Sequence, residues 1–195
     1  MVNPTAGDLN AWNEQWAKSR ACYFVNTDRD PIAPYTAASY NQNQKNEAYF
    51  KLMGRAADGM TPTSDPTLLD LDNLIDYMLI TFYSGNTDAP LSAFLGNNSP
   101  NNFYAIRDRR GGKGFLHFQH DGEHTLNAGS ANSNRVGPFN DPITGTWNNI
   151  TKSNAQFTHQ DLAPNLEYRM RFADRVHRHL IAHPVIPAES RGRGC

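Results

Sequence analysis

Cysteine is scarce in this chain of 195 residues, which contains only Cys22 and Cys195. The two lie near opposite ends of the sequence, and Cys195 closes a tail that is rich in glycine and arginine. Small extracellular domains that depend on disulfides carry several closely spaced cysteines, so this pattern does not indicate a disulfide framework. We expect two free thiols, which assign neither a cellular compartment nor a role to either residue.

The sequence also lacks long apolar runs and an excess of one charge. Its longest apolar stretch, around residues 74–83, contains Asp76 and is too short to cross a bilayer. No N-terminal segment has the charged and then apolar pattern of a signal peptide. With 18 Lys and Arg against 19 Asp and Glu, no overall field recruits nucleic acid or an anionic membrane. We expect a soluble protein that binds neither, in a compartment that the sequence leaves open.

The composition suits one loop-rich globular domain, because 38% of residues are hydrophobic and 11% are aromatic. Hydrophobic spacing predicts an α+β fold, mainly helical with one β-hairpin. The predicted helices are one that opens at Asp8, with Leu9, Trp12 and Trp16 along one face, and three over about 45–53, 71–84 and 161–179. The third has the clearest limits, since Asp70 can cap its start and Gly85 its end. In the last helix, Leu162 and Leu166 are expected to be buried, whereas the arginines that include Arg175 are expected to face solvent.

The segment 101–124 carries the most specific pattern in the chain. Two alternating runs, 103–106 and 116–119, flank the glycine-rich stretch RDRRGGKG and predict a hairpin. Asn102 directly precedes it and Asp121 follows it, with Asp88 a short way upstream. Carboxylate and amide oxygens at one end of paired strands suit a hard divalent cation and, through it, phosphate. Kinase-like folds place an Asp, an Asn and a second Asp in this order, although Asp and Asn in loops are equally typical of turns.

Residues 68–126 resemble the CotH kinase family, atypical protein kinases first associated with bacterial spore-coat proteins. The family pattern consists of an Asp-bearing helix, an Asn-x-Asp motif, paired Asn residues before an aromatic strand, and an acidic motif after the next strand. The matching residues here are Asp76, Asn86 and Asp88, Asn101-Asn102-Phe103-Tyr104, and Asp121 with Glu123. A weaker resemblance extends over residues 8–182.

The resemblance implies ATP-dependent transfer of a phosphoryl group to a protein hydroxyl, assisted by Mg²⁺ or Mn²⁺. It makes Asp88 the catalytic residue, and it makes Asn86 and Asn101 cofactor-binding residues. Metal ligation is implied for Asn102, Asp121 and Glu123. It further implies that Asp76 is a structural anchor of the catalytic loop.

A kinase also needs an ATP-binding lobe, and the sequence upstream of this region offers no glycine-rich strand–loop–strand unit and no lysine on a strand. We therefore expect residues 1–182 to form a partial CotH-type domain, a kinase-like C-lobe, with 183–195 as a flexible tail and further domains in a parent protein. A chain of this kind is expected to be an incomplete or inactive fragment. The alternative is a non-catalytic binding or structural module that keeps the fold without turnover.

One further alternative is a zinc metallohydrolase. His120 and His124 are four residues apart with Asp121 and Glu123 between them, so they fit Zn²⁺ if the stretch is helical. The order of residues differs from the usual zincin motif, and the stretch follows a predicted strand. We therefore favour Mg²⁺ over Zn²⁺ at this position.

Overall fold

The computed structural model describes residues 9–23, 42–140 and 150–182, and the side chains of α2 from residue 46 onwards. The long elements are α1 (Leu9–Tyr23), α2 (Gln42–Leu52), α3 (Leu71–Ser84), β1 (Phe103–Ile106), β2 (Leu116–Gln119), α4 (Ala155–Leu162) and α5 (Leu166–Val176). Single turns of 3-10 helix lie at Ala93–Leu95, Ala128–Ser130 and Ile150–Lys152, and α5 continues as a π-helical turn, His177–Ala182. The predicted α+β fold with one hairpin is thereby confirmed. The predicted Asp8 cap and the predicted tail over 183–195 lie outside the described residues.

Helix α3 forms the centre of the main core, as its sequence predicts. The Asp70 side chain accepts a hydrogen bond from the Asn73 N–H at 3.0 Å, and Gly85 ends the helix in the left-handed region at φ 60°. Leu74, Ile75 and Met78 of α3 are completely buried. Side chains from α2, α4, α5 and the segment before α3 surround them, namely Tyr49, Leu52, Leu68, Leu69, Ala155, Leu162 and Tyr168.

No helix among the described residues is long and apolar enough to span a membrane.

The hairpin is attached to α3 through backbone and side-chain contacts. Its strands are antiparallel, with Tyr104 opposite Phe118 and Ala105 opposite His117. Just before β2, Phe115 forms a parallel bridge with Leu69, and the Asn73 side chain of α3 bonds the backbone N–H and C=O of His117. The hairpin therefore has a fixed position relative to the core.

The region predicted as one helix over 161–179 forms two helices instead. Helix α4 ends at Leu162, and Asn165 caps the start of α5 by accepting a hydrogen bond from the Tyr168 N–H at 3.1 Å. Pro164 lies in the connection, where its missing N–H costs nothing. The predicted burial is correct for Leu162 but wrong for Leu166, which is 62% exposed.

Ion pairs join α3 to α5. They correct the predicted solvent exposure of Arg175 and the predicted role of Asp76. Arg175, predicted to face solvent, forks onto both oxygens of Asp76 and also reaches Asp72 at 3.3 Å. Arg171 pairs with Asp72 at 2.7 Å, and His179 approaches Asp76 at 3.4 Å. Asp76 is thus an anchor, but it anchors the last helix and not the loop that follows α3.

Candidate functional site

The loop that carries Asp88 begins directly after α3 and runs to β1. Asn86, the first residue of its Asn-x-Asp motif, is fully buried, with 0% of its surface exposed. Its Oδ1 accepts a hydrogen bond from the Asp88 N–H at 2.8 Å, which is a local Asx turn. The buried side chain of Asn86 thus holds the backbone N–H of Asp88, and its cofactor-binding role stays a prediction.

The carboxylate of Asp88 is held by both residues of the Asn pair. The Nδ2 groups of Asn101 and Asn102 donate to Asp88 Oδ2 at 3.0 and 2.9 Å. The other oxygen, Oδ1, is buried and has no hydrogen-bond partner among the residues that the structure describes. Buried carboxylate oxygens without a partner are rare in folded proteins, and each requires a structural or functional explanation.

The hairpin brings Asn102 next to the residues that follow β2. The His120 N–H donates to the Asn102 carbonyl at 3.1 Å, which extends the ladder by one pair beyond the strands. Asn102 and Asp121 both adopt the left-handed region, with φ of 47° and 49°. Asn and Asp enter this region more readily than other non-glycine residues. The positions that the sequence pattern singles out therefore meet at one end of the hairpin, where Asp121 is exposed.

The acidic segment after β2 then returns to the start of the Asp88 loop. The Thr87 N–H donates to the His124 carbonyl at 3.1 Å, and the Leu126 N–H donates to the Ser84 carbonyl at 2.7 Å. These bonds place the 120–126 segment beside the Asn86–Asp88 turn. Glu123, predicted as a metal ligand, has an exposed side chain, and its Oε1 lies 3.4 Å from His124 Nε2.

Arg135 also contacts the Asp88 loop, and sequence reasoning did not identify it. Its guanidinium is buried and donates to the carbonyls of Asn86 at 2.7 Å and Leu91 at 2.6 Å, and to Asn97 Oδ1 at 2.5 Å. Burial lowers the pKa of Arg135, and the negative charge of Asp88 acts against that shift. The only signal in the sequence is a single cation within a loop rich in glycine and asparagine.

The donor set suits a hard cation better than a soft one. No group of three His, Cys, Asp or Glu side chains that could hold a metal occurs within residues 9–23, 42–140 and 150–182. The oxygen donors near the hairpin end are the Asn102 amide and the Asp121 carboxylate. Because the Asn102 nitrogen is bonded to Asp88, the amide oxygen is its remaining ligand atom.

The alternative zinc ligands are not arranged as a helical pair. The stretch 120–124 has no helical turn, so the four-residue spacing does not bring the two imidazoles together on one face. The His120 ring lies against Tyr104 with centroids 5.1 Å apart, and the His124 ring lies against Phe94 at 5.0 Å. The geometry on which the zinc hypothesis depends is therefore missing here.

Comparison with known proteins finds no matching family model, no matching curated protein and no matching solved structure. The resemblance to the CotH family stays a prediction that depends on the motif residues themselves.

Proposed function

We propose that the Asp88 loop and the open end of the hairpin form a phosphoryl-transfer site of the CotH type, on a kinase-like C-lobe. The reaction is the transfer of the γ-phosphoryl group of ATP to a protein hydroxyl, with a divalent cation present. The observation that supports this proposal best is the double hydrogen bond from Asn101 and Asn102 to one oxygen of Asp88. These bonds connect Asp88, Asn101 and Asn102, three of the motif residues, directly to one another.

In this proposal Asp88 accepts the proton of the attacking hydroxyl. The two amides hold Oδ2, so the carboxylate has a fixed orientation and Oδ1 is the atom that receives the proton. Because Oδ1 is covered in the structure, binding of the acceptor must include a local opening of the loop. Arg135 bonds the backbone on either side of Asp88, at the carbonyls of Asn86 and Leu91.

Asn102 and Asp121 are the residues that fit a bound cation. Both supply oxygen donors, which Mg²⁺ and Mn²⁺ prefer over nitrogen or sulfur. The chemistry that such an ion supplies is neutralisation of charge on the phosphate oxygens. Asn101 is bonded to both Asp88 and the Pro90 carbonyl, so it positions the loop, and its amide oxygen is the side-chain atom that contacts the cofactor.

A second candidate is a non-catalytic binding or structural module. It is favoured by the enclosure of Asp88, since one oxygen is bonded to two amides and the other is covered. In that case the Asp88 network stabilises the loop and performs no chemistry. The two candidates differ in whether ATP and metal bind at all.

The test uses the chain with labelled ATP, Mn²⁺ and an unstructured protein rich in Ser and Thr. Asp88→Ala and Asp121→Ala are compared with Asp108→Ala, which removes an exposed carboxylate at the opposite end of the hairpin. The proposal departs from the inactive fragment that the sequence predicts: it expects transfer by the wild type and by Asp108→Ala, and a loss of about a hundredfold or more in the other two. Full transfer by Asp88→Ala and Asp121→Ala overturns it. If calorimetry detects no binding at millimolar ATP and Mg²⁺, the module is supported instead.

A further inference from the structure

The two outer edges of the hairpin differ in how their backbone groups are bonded. The bond from the His120 N–H to the Asn102 carbonyl makes this pair a hydrogen-bonded one, so Ala105 and His117 form a non-hydrogen-bonded pair. In such a pair the N–H and C=O groups of both residues point away from the partner strand. For His117 the Asn73 side chain satisfies both groups, which covers the outer edge of β2 at this residue.

The outer edge of β1 has no equivalent hydrogen-bonding partner within the part of the chain that the structure describes. By the same alternation, Phe103 and Ala105 present their N–H and C=O groups along this edge. Among residues 9–23, 42–140 and 150–182, no backbone group outside the hairpin and no side chain bonds to either residue. An unpaired strand edge of this kind is a template for an added extended strand.

The side chains beside that edge are apolar on the face that points away from α3. Tyr104, Ile106 and Phe118 are 51%, 58% and 43% exposed. Tyr104 and Phe118 are directly opposite each other in the register, so they form one continuous surface. An added strand could bury alternate side chains on this surface while its backbone pairs with β1.

The turn between the strands is strongly cationic. It contains Arg107, Arg109, Arg110 and Lys113, and its one acid, Asp108, is bonded to Arg110. The Lys113 side chain is 84% exposed, with Asp70 at 3.8 Å. The end of the β1 edge away from Asn102 therefore offers a net positive field to a partner with acidic residues.

We propose that an acidic segment of the protein substrate binds as an extended strand along the free edge of β1. The proposal rests on the proposed function, because Asn102 and the Asp88 site lie directly at the other end of the same strand. From Asn102 to Arg107 the chain advances five residues, or about 17 Å at roughly 3.4 Å per residue. A bound strand with its Ser or Thr at Asn102 thus carries its acidic residues about five positions away.

The experiment measures peptide binding without ATP or metal, so its result does not depend on phosphotransfer. Two fluorescent ten-residue peptides carry one Ser and a cluster of three acids about five positions apart, in opposite order, with Val and Thr between them. Fluorescence anisotropy is measured with the wild type, with Ala105→Pro, and with the triple reversal Arg109→Glu, Arg110→Glu, Lys113→Glu. Proline at residue 105 removes an outward N–H while leaving the bonds between β1 and β2 in place.

Binding of at least one peptide, weakened about tenfold or more by Ala105→Pro and by the triple reversal, is the expected result. Arg178→Glu, a reversal of an exposed cation after α5, should leave binding unchanged. A second test leaves the protein unchanged: the wild type is measured with a peptide N-methylated at alternate residues, which should bind about tenfold more weakly. Equal binding of the methylated peptide, equal binding of a peptide with Lys in place of the acids, or preferential binding of single-stranded oligothymidine overturns the proposal.

Discussion

Arg135 Nε donates to the backbone carbonyl of Asn86 at 2.7 Å, across 49 residues of sequence. The same guanidinium reaches the Leu91 carbonyl, so it spans the turn that presents Asp88. Lys152 supports the far part of this loop by donating to the Asn98 carbonyl at 3.0 Å. The candidate site is therefore held by cations that come from sequence well beyond the motif.

Replacing Arg135 should destabilise the fold more than replacing an exposed arginine. Arg135→Met leaves three buried or half-buried oxygens without their donor, which should cost about 2–4 kcal/mol in the free energy of unfolding. Urea titration followed by circular dichroism measures this loss. The matched control Arg178→Met should change stability by less than about 0.5 kcal/mol. Equal midpoints for the two variants would contradict the role assigned to Arg135.

The buried ion pair between α1 and α4 gives a second test of packing. Arg20 and Asp161 approach to 2.8 Å, and their side chains are almost completely inaccessible to solvent. Asp161→Asn removes the negative charge that lies 2.8 Å from the buried Arg20 guanidinium, so it should cost about 3–5 kcal/mol. The exposed pair of Lys18 and Glu14 offers a control, where Glu14→Gln should cost less than about 1 kcal/mol. Similar losses of stability in Asp161→Asn and Glu14→Gln would show that the buried pair stabilises the fold no more than the exposed pair does.

Two buried histidines should make the protein less stable in mild acid. Burial lowers the pKa of His117 and of His159 to about 4, well below the value of about 6.5 in an unfolded chain. Between these values the unfolded state binds more protons, so stability is complete above about pH 6.5 and falls as the pH drops towards 4. Each histidine contributes a slope of up to roughly 1.4 kcal/mol per pH unit in this window.

Urea midpoints at several pH values measure that slope. His117→Phe should make it shallower by about half, since one of the two depressed pKa values is then removed. An unchanged slope in His117→Phe would rule out this origin of the pH dependence.

Gly114 is required where the hairpin meets the segment before α3. It adopts φ 89°, and a Cβ atom there would lie 2.3 Å from the Leu69 nitrogen and 2.5 Å from the Leu68 carbonyl carbon. Gly114→Ala therefore forces the parallel bridge apart and should cost at least about 3 kcal/mol. Gly111 also has a positive φ but open space around it, so Gly111→Ala should cost only about 1 kcal/mol. The thermal midpoint of Gly111→Ala reports backbone strain alone, so the additional decrease in Gly114→Ala measures the steric clash.

The sequence predicted those parts of the fold whose cause is local. The Asp70 cap, the stripe of α3 and the Gly85 end follow from spacing over a few residues, and the hairpin follows from alternation around a glycine turn. The break before Asn165 was missed because Leu162 and Leu166 continue the helical spacing across Pro164. The side-chain cover that Asn73 provides to β2 depends on tertiary contact, which spacing does not encode.

The same distinction applies to the candidate site. Motif order predicted that Asp88, Asn102 and the start of the 120–126 segment belong together, and hydrogen bonds connect all three regions. The burial of Asn86 and the contacts of Arg135 were not predicted, because both depend on how a long polar loop folds over the Asp88 turn. The metal-binding role of Glu123 stays a prediction.

Mn²⁺ titration in the presence of ATP, followed by NMR, tests the central claim most directly, because paramagnetic broadening falls steeply with distance. We predict that the side-chain amide of Asn102 and the backbone amide of Asp121 broaden first. Asp121→Ala should abolish this effect, whereas Asp108→Ala should not change it. Broadening that begins near Asp108 or at the imidazoles of His120 and His124, or that survives in Asp121→Ala, would contradict a cation site at this end of the hairpin.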